Sequence, residues 1–153
     1  MTNPPGYAPR DVFEQMLEWM VIPTFDLVLS YGEQGVIIVR RKIAPYKDVW
    51  ALPGLRMYKG EDIDDTLRRI AEAELGLEID ASQKQLLGQY VGKFKSEHNR
   101  QDLSTGYHIP LRGDQLIRLN EDHFYSYEIT QTIPDNMGAM YRHYLSIYFD
   151  EQG

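Results

Sequence analysis

Hydrophobic and polar positions along the chain divide it into short alternating runs and a few helical stripes. Near the start, Val12, Phe13, Met16, Leu17 and Met20 recur at helical spacing, which predicts a helix over Asp11–Val21 with Pro9 just before it and Pro23 beyond its end. The stretch FDLVLSY then alternates. Phe25, Leu27, Leu29 and Tyr31 point one way, and Asp26 and Ser30 the other, as in a strand with one apolar face. GEQG makes a turn. VIIVRR is apolar on both faces and predicts a central strand, and VWALPG a short third one. Ile63, Leu67 and Ile70 open the stripe of an amphipathic helix, with Asp62 or Asp64 as its cap and Gly76–Leu77 as a left-handed stop. LLGQYVGKF and GYHIPLRG read as strands joined by a polar loop from Lys95 to Thr105. HFYSYEI reads as another strand, with His123, Tyr125, Tyr127 and Ile129 on one face. Met137, Met140, Tyr141, Tyr144, Leu145 and Tyr148 predict a final helix from about Asn136 to Phe149. Helices and strands mix without strict alternation, which argues for an α+β layered sandwich.

Composition narrows the function. A chain of 153 residues with 42% hydrophobic and 25% charged residues suits one soluble globular domain over residues 1–153, with residues 1–9 (PPGYAP among them) as a flexible lead-in. The absence of cysteine excludes disulfides, thiolate metal sites and a cysteine nucleophile. A net charge of -7 argues against non-specific binding to nucleic acid or membrane. No apolar run is long enough to span a bilayer, and MTNPPGYAPR has no signal-peptide core, so a cytoplasmic location is expected.

Glu74 is out of place. At roughly 100° per residue it falls on the stripe of Ile63, Leu67 and Ile70, where a lone carboxylate is costly. Two arrangements would satisfy it. One is a salt bridge to Arg56, Arg68 or Arg69. The other is a hard divalent cation, since magnesium takes one or two carboxylates plus water and phosphate oxygens. The preceding loop, LPGLRMYKGE, brings two glycines and two cations together. Gly54 can bring bare backbone to a ligand, and Arg56 with Arg40 and Arg41 can gather around a diphosphate.

Gly54 to Leu77 resembles a degenerate Nudix box, Gly-x5-Glu-x7-Arg-Glu-U-x-Glu-Glu-x-Gly-U, with U an apolar residue. Glu61, Arg69, Glu74, Gly76 and Leu77 match it. Leu55 replaces the first glycine, and Ile70 and Ala73 replace two of the three glutamates that crowd the metal face in that family. The GDP-mannose mannosyl hydrolase branch loses the same two glutamates, and the similarity to it extends beyond the box. Asp26, Arg41, Arg56, Tyr107 and His123 fall on its aspartate, phosphate-facing arginine, arginine after Pro-Gly, tyrosine and catalytic histidine, and DNMGAMYRHY on its C-terminal motif.

The resemblance implies a Nudix-type α/β/α sandwich with a mixed sheet between helices. It also implies a Mg²⁺-dependent enzyme (Mn²⁺ as substitute) that sends water to the anomeric carbon of a nucleotide sugar such as GDP-mannose, releasing a nucleoside diphosphate. His123, Arg41 and Arg56 would be catalytic. Asp26, Arg69 and Tyr107 would contact substrate. Glu74, Gly54 and Asp122 would hold the metal, Asp122 standing where the family has glutamine. The family also implies a homodimer. Its histidine after the box is replaced by Gly92 or Lys93, with His98 and His108 as conceivable stand-ins. Ordinary diphosphate cleavage and a silent nucleotide-sugar-binding module are the alternatives.

Overall fold

The computed structural model describes residues 6–43, 47–95 and 98–152. Residues 1–5 of the expected lead-in and 96–97 of the expected loop lie outside them. The chain runs α1 (Arg10–Trp19), β1 (Val21–Tyr31), β2 (Val36–Arg41), β3 (Trp50–Ala51), β4 (Gly54–Arg56), α2 (Ile63–Leu75), β5 (Gln85–Lys93), β6 (Gln101–Leu111), β7 (Phe124–Thr130) and α3 (Ala139–Gln152), with a 3-10 turn at Ala81–Gln83. Among the described residues the strands form one seven-stranded mixed sheet with the path β3-β2-β1-β6-β5; β4 pairs with β1, and β7 with β2. β1 and β6 are parallel over their full length, and the other pairings are antiparallel.

Helices flank this sheet, which is the α/β/α sandwich expected. Alternation along β1 and β6 gives the sheet two unlike faces. Phe25 and Tyr107 stack on one, with ring centroids 6.2 Å apart, on the side of Lys84 and the start of α2. Asp26, Ser104 and Gly106 occupy the other, under α3. There a Cβ on Gly106 would lie 2.6 Å from the ring of Tyr144, so only glycine lets α3 approach this closely. The main core joins Leu27, Leu29, Ile37, Val39, Leu67, Ile70, Leu75, Tyr144 and Leu145. α1 is held by a separate small cluster, Phe13 and Leu17 against Ile22.

α2 is defined by its ends. Asp62 accepts from the Asp65 amide at 3.0 Å while Asp65 accepts from the Asp62 amide at 3.1 Å, a reciprocal capping box. At the other end Gly76 adopts φ 63°, a left-handed stop. The last carbonyls of α2 are taken up by the loop before β7: Arg118 N donates to Leu75 O at 2.8 Å, and Asn120 N to Glu74 O at 2.9 Å. That loop carries His123, so the same hydrogen bonds that finish the helix deliver the imidazole to Glu74.

Three sequence expectations change. The VWALPG stretch forms two strands rather than one: β3 ends at Ala51, and β4 begins at Gly54 and runs on into the expected loop, its three residues pairing with Thr24, Phe25 and Asp26 of β1. β6 begins at Gln101, inside the expected Lys95–Thr105 loop. His123 precedes β7 rather than lying on a face with Tyr125 and Tyr127, whose rings are largely exposed.

Candidate functional site

Gly54 comes first because it sets the closest approach in the site. A Cβ there would lie 2.2 Å from Asp26 Oδ1 and 2.7 Å from the Phe25 carbonyl, so a glycine is required where β4 crosses Asp26. The loop after it is braced by Arg69. Its guanidinium donates to both oxygens of Glu61 at 2.7 and 2.8 Å and to the Arg56 carbonyl at 2.7 Å. Glu61 also accepts from the Tyr58 amide, and hydrogen bonding by Arg69 holds its carboxyl below the usual glutamate range.

These elements border a cavity of about 500 Å³, a volume suited to a small-molecule ligand. Arg10, Arg41, Arg56, Arg69 and Arg100 line it, together with Asp26, Glu74, Asp102 and His123. Aromatic rings of Tyr7, Phe13, Tyr58, Phe94 and Tyr141 form much of the rest. The Arg56 guanidinium lies 3.8 Å from the centre of the Phe13 ring and 5.3 Å from that of Tyr58, and Arg69 covers Tyr58 at 3.6 Å. Stacking of this kind fixes arginine planes without consuming their N–H groups. Arg41 reaches the cavity because it follows Arg40 on β2 and points to the opposite face; Arg40 is exposed, while Arg41 is 8% exposed.

Glu74 finds its partner outside the arginines named from sequence. It is 1% exposed, and His123 Nδ1 lies 2.9 Å from its Oε2. A carboxylate only accepts, so Nδ1 carries the hydrogen and Nε2 is left as the acceptor of the neutral ring. The bond to Glu74 raises the His123 pKa above its ordinary value, with burial opposing.

Asp26 is 4% exposed and accepts from Ser104 Oγ at 2.5 Å; the Tyr144 hydroxyl lies 2.8 Å beyond Ser104. Burial pushes the Asp26 carboxyl up to about 7, and the Ser104 bond lowers it only in part. Burial likewise raises the Tyr144 hydroxyl well above its usual range.

Seven of the nine residues singled out from sequence line the cavity: Asp26, Arg41, Gly54, Arg56, Arg69, Glu74 and His123. Two do not. Tyr107 lies on the opposite face of the sheet from Asp26, because odd and even positions of β6 point apart. Asp122 is exposed in the turn before β7, where its amide donates to Asn120 Oδ1 at 3.1 Å, and its side chain stays off the cavity wall. His108 is buried against Ser30 at 2.8 Å and Tyr148, and His98 pairs with Glu18 at 3.1 Å; neither lines the cavity. Sequence reasoning missed Thr24, Phe13, Tyr58, Arg100, Asp102 and Tyr141. Thr24 alone carried a signal, two residues before Asp26 on one strand face.

Among the described residues no group of three or more histidine and carboxylate side chains is placed to hold a metal ion. The donors present are those of a shared site. The Glu74 carboxylate is buried and lines the cavity, as does Gly54. That set fits a hard divalent cation completed by phosphate oxygens and water. Ile70 is fully buried and Ala73 lines the cavity without a polar group, so Glu74 is the one α2 carboxylate there.

The NUDIX domain model matches residues 20–137. Agl8 of Haloferax volcanii, a low-salt glycan biosynthesis protein, is 26% identical over 123 residues, 74% of each chain. The structure resembles the MutT NUDIX hydrolase from Burkholderia pseudomallei with a TM-score of 0.73 at 17% identity, covering 83% of this chain and 97% of that one. It also resembles a bifunctional NMN adenylyltransferase/ADP ribose pyrophosphatase from Francisella tularensis, complexed with AMP and a manganese ion, with a TM-score of 0.64 at 20% identity over 87% of this chain and 42% of that one. Among the described residues no helix is long and apolar enough to cross a membrane.

Proposed function

The chain belongs to the NUDIX domain family, the Nudix hydrolases, and we propose that it hydrolyses a nucleoside-diphosphate sugar such as GDP-mannose by attack of water on the anomeric carbon. The observation that carries this is the Glu74–His123 pair at the edge of an arginine-lined cavity, with Ile70 and Ala73 in place of further carboxylates on α2. Cleavage at phosphorus draws on several carboxylate-held cations in this family. A site with one such carboxylate and an oriented imidazole suits attack at carbon. Kinship with a glycan biosynthesis protein supports a sugar-bearing substrate.

His123 is the general base. The Nδ1–H bond to Glu74 fixes ring and tautomer, and Nε2 accepts the proton of the attacking water. The bond from the sugar C1 to the diphosphate oxygen breaks as the bond from water forms. Positive charge develops on the ring carbon and negative charge on the departing diphosphate. Arg41 and Arg56 stabilise that negative charge, Arg56 with its plane already fixed by Phe13. Arg69 acts through the loop it braces rather than by touching phosphate. A divalent cation, magnesium or manganese, held by Glu74 and the Gly54 backbone supplies Lewis-acid neutralisation of the leaving group when bound.

A product assay tests this. GDP-mannose, GDP-glucose, UDP-glucose and ADP-ribose are incubated with Mg²⁺ and followed by ³¹P NMR. Nucleoside diphosphate and free sugar are expected. Nucleoside monophosphate and sugar phosphate would place the cut at phosphorus and overturn the reading, and silence across the panel would favour a module that only binds.

A further inference from the structure

Among the described residues, none hydrogen-bonds the hydroxyl of Thr24. The residue is 7% exposed, lines the cavity, and its Oγ1 is buried without a hydrogen-bond partner. Native structures rarely bury a polar group unpaired, because burial without a partner forfeits its bonds to water. The backbone gives Thr24 no freedom to turn away. It sits mid-strand in β1, paired to Ser104 on one side and Arg56 on the other.

Its surroundings have a consistent chemistry. Asp26 lies two residues on along the same face, and Asp102 opposes Ile22 on the adjacent strand, also on that face. Both carboxylates line the cavity and are buried, and Arg100 Nε donates to Asp102 at 2.7 Å. Two buried carboxyl groups and a hydroxyl accept from and donate to the hydroxyls of a neutral ring. Arg41 ends β2 and His123 precedes β7, strands on the side of β1 away from β6 and Asp102. Arg41 is close enough to act electrostatically on both Asp26 and His123. The acceptor cluster therefore adjoins the reaction centre, where the sugar sits, rather than the far end, where the base sits.

We propose that Thr24 Oγ, with Asp26 and Asp102 beside it, reads a hydroxyl of the sugar ring and helps set which sugar is accepted. This rests on the nucleotide-sugar reading above. Its first consequence is unusual for a buried residue: removing the hydroxyl leaves the free protein as stable as before, or more so, because no internal bond is lost, while substrate recognition weakens.

The test compares wild type, Thr24→Val and Thr24→Ser on whichever nucleotide sugar of the panel the wild type turns over. Each is measured for Tm, kcat/KM and inhibition by the matching nucleoside diphosphate, which lacks the sugar. The valine variant should keep or raise Tm and lose about 3–10-fold in kcat/KM, the value of one neutral hydrogen bond. Its inhibition by nucleoside diphosphate should stay unchanged, and the serine variant should stay near wild type. Unchanged kcat/KM in the valine variant overturns the proposal. So does a matching loss in nucleoside diphosphate inhibition, which would assign Thr24 to the nucleotide, or a fall in Tm, which would give its hydroxyl an internal partner. A wild type silent on every nucleotide sugar sinks the underlying reading, and this inference with it; turnover by wild type with unaltered variants sinks this inference alone.

Discussion

Replacing Asp26 by asparagine should make the protein more stable at neutral pH and leave it little changed in acid. The carboxyl is buried between Gly54 and Ser104, and burial raises its pKa from 3.8 to about 7. The folded state thus holds a proton that the unfolded chain releases. Stability conferred by that proton is full below the unfolded pKa of 3.8 and is lost progressively as pH rises to about 7, after which the loss is complete. At about 1.4 kcal/mol per pKa unit the total comes to about 4 kcal/mol, of which about 2–3 kcal/mol falls between pH 5 and 8. Asparagine keeps the shape and an oxygen to accept from Ser104, and carries no proton to lose. Urea unfolding of wild type and Asp26→Asn, at half-unit steps from pH 5 to 8, should therefore show two curves that separate as pH rises and run parallel beyond pH 7. In a domain of this size that gap corresponds to about 5–10 °C in Tm. Curves parallel throughout would mean that Asp26 is ionised at no cost in the folded state and would refute the assignment of burial as the dominant influence on it.

Glu74→Gln should remove most Mg²⁺-dependent turnover while circular dichroism shows an intact fold; unaltered turnover would end the metal assignment. His123→Ala should lower kcat by about 10²–10⁴, and a loss confined to KM would remove its role as base. Gly54→Ala should destabilise the protein and weaken substrate binding, because the added Cβ lies 2.2 Å from Asp26 Oδ1; a variant with wild-type Tm and KM would show that β4 shifts freely. Arg69→Lys should raise KM more than it lowers kcat, since lysine cannot bond both oxygens of Glu61 and the Arg56 carbonyl together. An equal fall in kcat with unchanged KM would instead assign Arg69 to the transition state.

Much of the fold was legible wherever burial produced a period. The stripes of α2 and α3, the alternation of β1 and the unbroken apolar run of β2 reflect contact with the main core, and the stripe of α1 its contact with a smaller cluster. β6 shows why the rest was not. Its first half turns Asp102 inward to a polar cavity and Ser104 inward to Asp26 and Tyr144, both buried. Polar residues on the inward face cancel the alternation that marks a strand, so the segment read as loop. The same inversion hid Asp102 and Arg100 from the list of site residues. His123 was found through resemblance, but its place was misread. The turn from Asn120 to His123, with His123 N donating to Asn120 O at 3.1 Å, ends before the strand begins. Tyr107 lies off the cavity for a reason of period. It lies one residue after Gly106, which pairs with Asp26, and one residue on a strand is the other face.

Glu61, Arg69, Gly76 and Leu77 show which parts of the box this chain has kept, and why. Arg69 and Glu61 clamp each other and the Arg56 carbonyl, Gly76 stops α2, and Leu77 is 1% exposed in the core. All four act on the scaffold. Where the family pattern has two further glutamates this chain has Ile70 in the core and Ala73 on the cavity without a polar side chain. Frame and ligand positions in this motif are therefore separable, and in this chain the frame stands with one carboxylate on the cavity face of α2. A binding module with no reaction to run would need the same frame. What it would not need is a buried carboxylate at Glu74 bonded to an imidazole, since an unpaired carboxylate there is costly and an apolar residue would pack as Ile70 does. On the proposed reading, the 2.9 Å bond between Glu74 and His123 is the feature that would separate a working site from an emptied one. Pairwise replacement, Glu74→Leu with His123→Phe, should leave stability unchanged or raised while abolishing turnover. A double variant that unfolds would show the pair to be structural, and one that still turns over substrate would move the chemistry elsewhere in the cavity.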